Sequence, residues 1–578
     1  MKRHPITFAL AIVFLIAGIL SFLLRLPFFS PQSKEQTSFT SYLDELFSNW
    51  VSADSITLHY SLTSPAKYHI KEQAPSLSGN YFFNELDYER ELKALHRYSK
   101  DSLTKEQKRT YHILEDYLKR ELSVERFPLY QTTFSPTTGL QAQLPITLCE
   151  FPLSTQEDIL TYLSLLRQIP EYFSYLYAKE QEKSAQGLFC SNKILQQIID
   201  QMDAFLSSKE ENPLIVSFES RIASLPLTNH DRSAYIRENR ACVLHTVFPA
   251  YEKLRKNLLS LKDTGTNPAG LFYHDRGKEY YTALVAKLTG SDRSPKELIS
   301  MTEKSISEYY RELEEILYVS PDAYERFLTY DLASLLPKNE KQTMAWLKEQ
   351  TRKSFPAAPS VTYVIKQVPD CLQPYVSPAF YMIPPMDSYH NNTIYLNPHH
   401  LSSLSDSYGV LAHEGYPGHL YQTTYFYETM SHPILSLCNY EGYTEGWAVF
   451  AEHTSYSFLD YGTSSDTICR LYQLNHLLNL AIPARIDLGV HYEGWKKENV
   501  NQYLSSLGLE KDEITSDIFY SVVGEPGNYL SYYIGYLEID SLSEQYTKKN
   551  GTNADLKNFF VYFLQNGPCD FSFLSTSM

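Results

Sequence analysis

Residues 412–422 read Ala-His-Glu-Gly-Tyr-Pro-Gly-His-Leu-Tyr-Gln, and His413, Glu414 and His419 are the residue types that a metal-dependent hydrolysis requires. Neutral imidazoles hold a divalent ion, and a carboxylate takes a proton from the water that the ion activates. The common helical form, His-Glu-x-x-His, sets its imidazoles four residues apart on one face. Here they stand six apart, which on a regular helix turns them roughly 120° away from one another. Pro417 and Gly418 lie between them. Proline interrupts the hydrogen-bond ladder and glycine accepts unusual dihedrals, so a bulge can loop out two residues and return His419 to the face of His413. The competing interpretation is a broken helix carrying two unrelated histidines.

A second acidic segment favours the bulge. Residues 439–453 read NYEGYTEGWAVFAEH, placing Glu441, Glu445 and Glu452 in apolar, aromatic surroundings. Charges in such a setting are costly unless paired or bound to a cation. Glu445 follows His419 by 26 residues, room for a loop and a second helix that brings a third ligand. Glu452 lies two turns further along and is placed to orient a ligand histidine; each glutamate is otherwise an exposed helix charge. Nearer the end come Arg485, Asp487 and His491 in ARIDLGVHYEGW, then PGNYLSYYIG over residues 526–535. Peptide hydrolysis builds an oxyanion that a tyrosine hydroxyl or a protonated histidine stabilises. Tyr532, Tyr533 and His491 are the candidates, and Arg485 suits a substrate carboxylate. Taken alone, each reads first as a packed aromatic or a structural ion pair. SPAFYMIPPMD, residues 377–387, reads as a proline-rich loop that could wall a cleft with Tyr381 facing in.

The elements that must position these groups are mostly helical. With 578 residues, two subdomains or one large helical body are expected. Segments 157–180, 191–207 and 295–317 repeat apolar residues at three- and four-residue spacing. Ser294-Pro295-Lys296-Glu297 has the form of a helix start. Strand signals are confined to residues 360–367 (SVTYVIKQ) and 393–396 (TIYL), enough for a small sheet beside the catalytic helices. The fold expected is therefore mainly α with a small β-sheet. It divides into a helical part over residues 41–355 and a catalytic part over 356–578. A 43% hydrophobic and 14% aromatic composition excludes a disordered chain. A net charge of −16 without a Lys/Arg stripe argues against nucleic acid as partner. Seven dispersed cysteines with no CxxC pair imply no disulfide scaffold, although one or two bridges fit an exported body.

The amino end carries the localisation signal. Lys2, Arg3 and His4 precede an apolar run of 19 residues from Ile6 to Leu24, closed by Arg25. At helical rise this covers a hydrocarbon core of ~30 Å. No small-x-small cleavage site or lipobox cysteine follows. Residues 1–25 are therefore expected to be an uncleaved signal anchor, single-pass in the cell membrane, with the catalytic body outside; a cleaved signal peptide is the alternative. Residues 26–40 read as a tether.

These segments together resemble a bacterial family catalogued as domain-of-unknown-function family 885, a distant relative of the gluzincin peptidases, including Taq-type carboxypeptidases and oligopeptidases. The resemblance runs from about residue 40 to 565. The family's HExxPGHxxQ element corresponds to His413–Gln422, and its EGWALYAE element to Glu445–Glu452. Its R-x-DTG-x-H-x-x-GW element corresponds to Arg485–Trp495, with Leu488 where threonine is usual, and its PGQ…Y-x-IG element to Pro526–Gly535, with Asn528 in place of glutamine. SPAFYMIPPMD resembles the family's SPAYYxPPSxD, and Thr138–Pro145 aligns loosely with QMDGxxxxLP. Longer histidine spacing is thus a family trait, and dipeptidyl peptidase III binds zinc with a comparable one-residue insertion. The resemblance implies a large helical peptidase body with a deep channel suited to short peptides. The expectation is one zinc ion on His413, His419 and Glu445, with Glu414 as general base. Tyr532 or His491 would steady the oxyanion, Arg485, Tyr381 and Tyr533 would contact substrate, and Glu452, Glu441 and Asp487 would support them. A hydrolase of a non-peptide amide or ester, and a catalytically silent peptide-binding protein, are the alternatives.

Overall fold

The computed structural model describes residues 33–578 apart from 72, 78–86, 137, 371–372, 374–375, 510 and 552–554. The anchor expected over residues 1–25 lies outside the described residues. Among those described, no helix is long and apolar enough to cross a membrane.

Helices begin where the sequence supplies caps. The Ser294 hydroxyl accepts from the Glu297 N–H at 3.4 Å while Glu297 accepts from the Ser294 N–H at 2.8 Å, opening the helix Pro295–Val319. A similar box of Thr155 and Asp158 opens Gln156–Ala185, where Ile159, Leu163, Leu166 and Ile169 form the buried stripe. Ser191 caps Asn192–Ser207. The expected tether is shorter than its polar composition suggests. Ser33 and Gln36 form a capping box, and Lys34–Val51 is helical with Phe39 wholly buried. Phe39 begins the stripe continued by Leu43, Leu46 and Phe47, so residues 34–40 are its first turns.

The apolar interior divides into two main bodies. One is a lobe of the helices Leu140–Cys149, Gln156–Ala185, Asn192–Ser207, Pro213–Ile222 and Asn229–Cys242, the last running through a π-helical turn into Phe248–Leu259. The other gathers residues from both sides of that lobe, from Phe39 to Leu118 and from Tyr281 to Leu574. Met344, Leu347 and Phe355 share this second core with Leu411, Leu420 and Trp447. The packing therefore does not divide at residue 355.

The sheet has three strands, β1 (Thr362–Gln367), β2 (Ala379–Met382) and β3 (Asn391–Leu396), in the order β1-β3-β2. β3 lies parallel to β1 and antiparallel to β2, with Tyr381 opposite Ile394. β1 and β3 answer the two strand signals, whereas β2 forms within the stretch that reads as a loop. Ala379 and Tyr381 turn their side chains into the large core, and Phe380 and Met382 face the other side. Because Asn397 N–H donates to the Pro378 carbonyl at 2.8 Å, the pairing alternates so that Ala379 and Tyr381 turn their backbone groups to the open edge, where Ser377 Oγ donates to the Ala379 carbonyl at 3.0 Å.

Five helices carry the candidate site: α1 (Leu404–Glu414), α2 (His419–Thr429), α3 (Glu441–Ser455), α4 (Ser465–Leu488) and α5 (Asn528–Asn550). α3 and α5 meet backbone to backbone. A Cβ on Gly446 would lie 2.3 Å from the Gly535 carbonyl carbon, and one on Gly535 2.1 Å from the Gly442 carbonyl oxygen. Only residues without a side chain permit so close a crossing, and it sets Glu445 beside Tyr532.

Candidate metal centre

α1 is opened by a Ser403–Asp406 capping box and delivers His413 and Glu414 on its last turn. The chain then leaves the helix for Gly415–Gly418 and resumes at His419. The Gly418 N–H donates to the Ala412 carbonyl at 3.0 Å, closing a loop six residues long, and the Gly415 N–H donates to Leu411 at 3.0 Å. Both glycines are sterically required. A Cβ on Gly418 would lie 1.8 Å from the His413 carbonyl oxygen, and one on Gly415 2.7 Å from the Leu411 carbonyl oxygen. The Trp447 indole N–H donates to the Pro417 carbonyl at 2.9 Å and ties the loop to α3. The bulge returns His419 to His413: their rings lie 4.8 Å apart at 86°.

Both imidazoles aim at one oxygen. His413 Nε2 lies 3.5 Å and His419 Nε2 3.3 Å from Glu445 Oε2, and one ligand atom from each of the three residues falls within 4.8 Å of the others. Glu445 Oε2 is buried and accepts no well-formed hydrogen bond. Burial would raise its carboxyl, but the His419 and His413 imidazoles outweigh burial and hold it well below the usual range. Two imidazoles and a carboxylate converging on an otherwise unsatisfied buried oxygen fit a divalent cation, and this donor set is one that zinc accepts.

Around the triad, the sequence-derived candidates separate into two groups. Glu414 is buried beside it, and its Oε2 accepts from the Tyr381 N–H of the open β2 edge at 2.8 Å. Burial raises its carboxyl, with the two histidines opposing and Glu445 adding to the rise. Tyr532 stacks on His413, with centroids 6.2 Å apart at 19°. The Glu445 carboxylate, with burial, keeps the Tyr532 phenol protonated far above its ordinary range. Glu441 stands one turn before Glu445, and burial pushes its carboxyl up to about 7 against the pull of Lys287. Glu452 Oε2 lies 3.5 Å from His413 Nδ1. Its other oxygen meets His476 Nδ1 at 3.1 Å and accepts from the Tyr456 hydroxyl at 3.3 Å.

The remaining candidates stand away from the triad. Tyr381 contributes its backbone, while its hydroxyl donates to Asn392 at 2.5 Å. Tyr533 is wholly buried, with its hydroxyl 3.5 Å from that of Tyr309. Arg485 is 3% exposed; it donates to Glu303 at 2.9 Å and Glu493 at 2.8 Å and lies 4.4 Å over the Trp495 ring. Asp487 accepts from the Tyr281 hydroxyl and, at 2.9 Å, from the Gly527 N–H, and burial pushes its carboxyl up to about 7. It thereby fixes the turn from which α5 and Tyr532 spring. His491 Nδ1 accepts from the Leu271 N–H at 3.0 Å and its Nε2–H donates to the Val522 carbonyl at 2.8 Å, so both nitrogens are committed to backbone. Burial pushes it down to about 4. Sequence reasoning passed over His476. Its only signal is a polar residue in the apolar run of Leu471, Leu474, Leu477 and Leu478 on α4.

The chain matches, over residues 69–578, the family model described as "Bacterial protein of unknown function (DUF885)", and it belongs to that family. No curated protein matches it. Among solved structures, a provisionally named lipoprotein from Colwellia psychrerythraea superposes with a TM-score of 0.81 at 20% identity, covering 94% of this chain and 98% of that one. A provisionally named lipoprotein of unknown function from Shewanella oneidensis gives a TM-score of 0.59 at 16% identity, covering 94% and 99%. At these identities the likeness is one of fold.

Proposed function

We propose that the protein is a zinc-dependent peptidase that cleaves short peptides outside the cell membrane. The observation that carries this reading is the convergence of His413, His419 and Glu445 beside a buried Glu414. A zinc ion held by the three would supply an acidified water and polarise the scissile carbonyl. Glu414 would take the water proton on its free oxygen and pass it to the leaving amine nitrogen, a role suited to a carboxyl raised by burial. The Tyr532 hydroxyl, held protonated, donates to the oxyanion. Glu452, 3.5 Å from His413 Nδ1, would accept its proton and leave Nε2 free to hold the ion.

A peptide rather than a non-peptide ester is favoured by the open edge of β2, which turns the Tyr381 carbonyl and the Ala379 N–H away from β3 close to Glu414. His491 and Arg485 are left out of this mechanism because both His491 nitrogens are committed to backbone and the Arg485 guanidinium is paired with Glu303 and Glu493. Attachment to the outer membrane face is supported by the apolar run Ile6–Leu24 and by the lipoprotein naming of both solved relatives.

The test is metal analysis and peptide hydrolysis on detergent-solubilised protein purified without chelator. About one zinc per chain is expected in the wild type, with none in His413→Ala. Glu414→Gln is expected to retain metal and lose turnover. Failure of the wild type to bind any divalent ion would end the reading.

A further inference from the structure

A cavity of about 380 Å³ lies against the outer face of β2, lined chiefly by Ile56, Tyr60, Ile146, Val376, Phe380 and Met382. Its walls come from three separate parts of the chain: the short helix Ser55–Ser61, the helix Leu140–Cys149, and β2 with the segment before it. Phe380 is held in place by stacking on Tyr395, with centroids 4.8 Å apart at 16°. The Tyr60 hydroxyl is spent on the Thr147 carbonyl at 2.6 Å. The lining is therefore mostly apolar, with Gln143, Thr147 and Ser377 as its other polar members, and its phenol turns its polar atom to the protein's own backbone.

The cavity shares its wall with the candidate site. Within β2, the Tyr381 N–H reaches Glu414, while Phe380 and Met382 on either side line the cavity. A peptide pairing with the open edge of β2 alternates its side chains with the same two-residue period. The residue opposite Tyr381 turns its side chain to the core side. Its two neighbours turn theirs to the side of Phe380 and Met382. We infer that the cavity receives a large apolar side chain, such as Phe, Leu or Met, from a substrate residue adjoining the bond that is cleaved. This rests on the peptidase reading. A charged side chain is disfavoured there, because it would lose its hydration against mostly apolar walls that hold no opposite charge.

The experiment compares kcat/KM on matched peptides carrying Phe, Leu, Ala or Asp at each position flanking the cleaved bond, using the zinc-loaded full chain. At one of those positions Phe and Leu should exceed Asp by on the order of 100-fold. Ile146→Trp, which fills the cavity, should slow the Phe peptide by roughly 10-fold or more while sparing the Ala peptide. Should that variant melt early, Ile56→Trp fills the same space from another wall and gives the same comparison. Equal cleavage of Phe and Asp peptides, or equal slowing of Phe and Ala peptides by a filling variant that melts normally, overturns the inference and leaves the peptidase reading standing. Cleavage of no peptide at all by the zinc-loaded chain overturns both.

Discussion

Gly446→Ala should weaken the fold and the metal site together. The new Cβ would sit 2.3 Å from the Gly535 carbonyl carbon, whereas carbon atoms rest at ~3.5–4.0 Å, so α3 and α5 must part by at least ~1 Å. The obstacle is backbone, which cannot swing aside as a side chain does. Overpacking of this kind costs about 1–3 kcal/mol. Glu445 is the preceding residue and Tyr532 faces it from α5, so the same displacement pulls a ligand away from His413 and His419. A loss of ~10- to 100-fold in zinc affinity is expected, the range seen when ligand geometry is disturbed. Urea unfolding measures the first effect and competition with a fluorescent zinc chelator the second. Gly462→Ala is the control. Gly462 has φ +71° and no atom within 4 Å of a built Cβ, so alanine there costs about 1–2 kcal/mol of backbone strain and should leave zinc affinity unchanged. A Gly446→Ala protein with wild-type unfolding and wild-type affinity would refute the argument that this crossing sets the site.

His476→Ala removes the far partner of Glu452 and should lower zinc affinity by ~10-fold or more without changing which residues bind, as read by the same chelator competition. Glu414→Gln should reduce kcat by at least ~100-fold while zinc content stays at one per chain, measured by peptide cleavage and metal analysis side by side. Asp487 has its carboxyl raised to about 7 by burial. Its contribution to stability is therefore fully present below about pH 4, the ordinary aspartate range, and is lost as pH rises through 7. Urea melts at pH 5 and pH 8 should show the wild type losing on the order of 1–4 kcal/mol across that interval, and Asp487→Asn losing less. Chelator treatment should lower the unfolding temperature of the wild type and leave that of His413→Ala where it was, a difference that calorimetry resolves.

The candidate metal residues were legible because their chemistry is local: a His-Glu pair, a Pro-Gly interruption and a glutamate among aromatics leave few interpretations. The loop closed by Gly418 and Ala412 is the bulge that Pro417-Gly418 implied. Capped helices such as Pro295–Val319 were equally readable, since both halves of the box lie within four residues. What was hidden depends on tertiary pairing. Ala379–Met382 carries prolines on both sides, at 378 and at 384–385, which mask a strand whose partner lies beyond the turn. His476 acquires meaning only when α4 is laid against Glu452. Arg485 and His491 posed the opposite difficulty. Composition marks them as capable of binding substrate, yet the groups that occupy them, Glu303, Glu493, Leu271 and Val522, lie on other segments. That the apolar packing crosses residue 355 was hidden for the same reason, because the first and last helices close one core around the lobe inserted between them.

Breaking the histidine motif into the end of one helix and the start of the next changes its electrostatics. In an unbroken helix the two imidazoles would project from the middle, where the peptide dipoles cancel along the axis. Here His413 belongs to the last turn of α1 and His419 to the first turn of α2. The carbonyl end of α1 carries roughly half a negative charge, and the amide end of α2 roughly half a positive one. A cation beside the first gains on the order of 0.3–1 kcal/mol, and negative charge gathering on a bound oxygen beside the second gains a comparable amount. The two additional residues thus supply the centre with a pair of oppositely signed termini, a field that no arrangement of side chains on a continuous helix would provide.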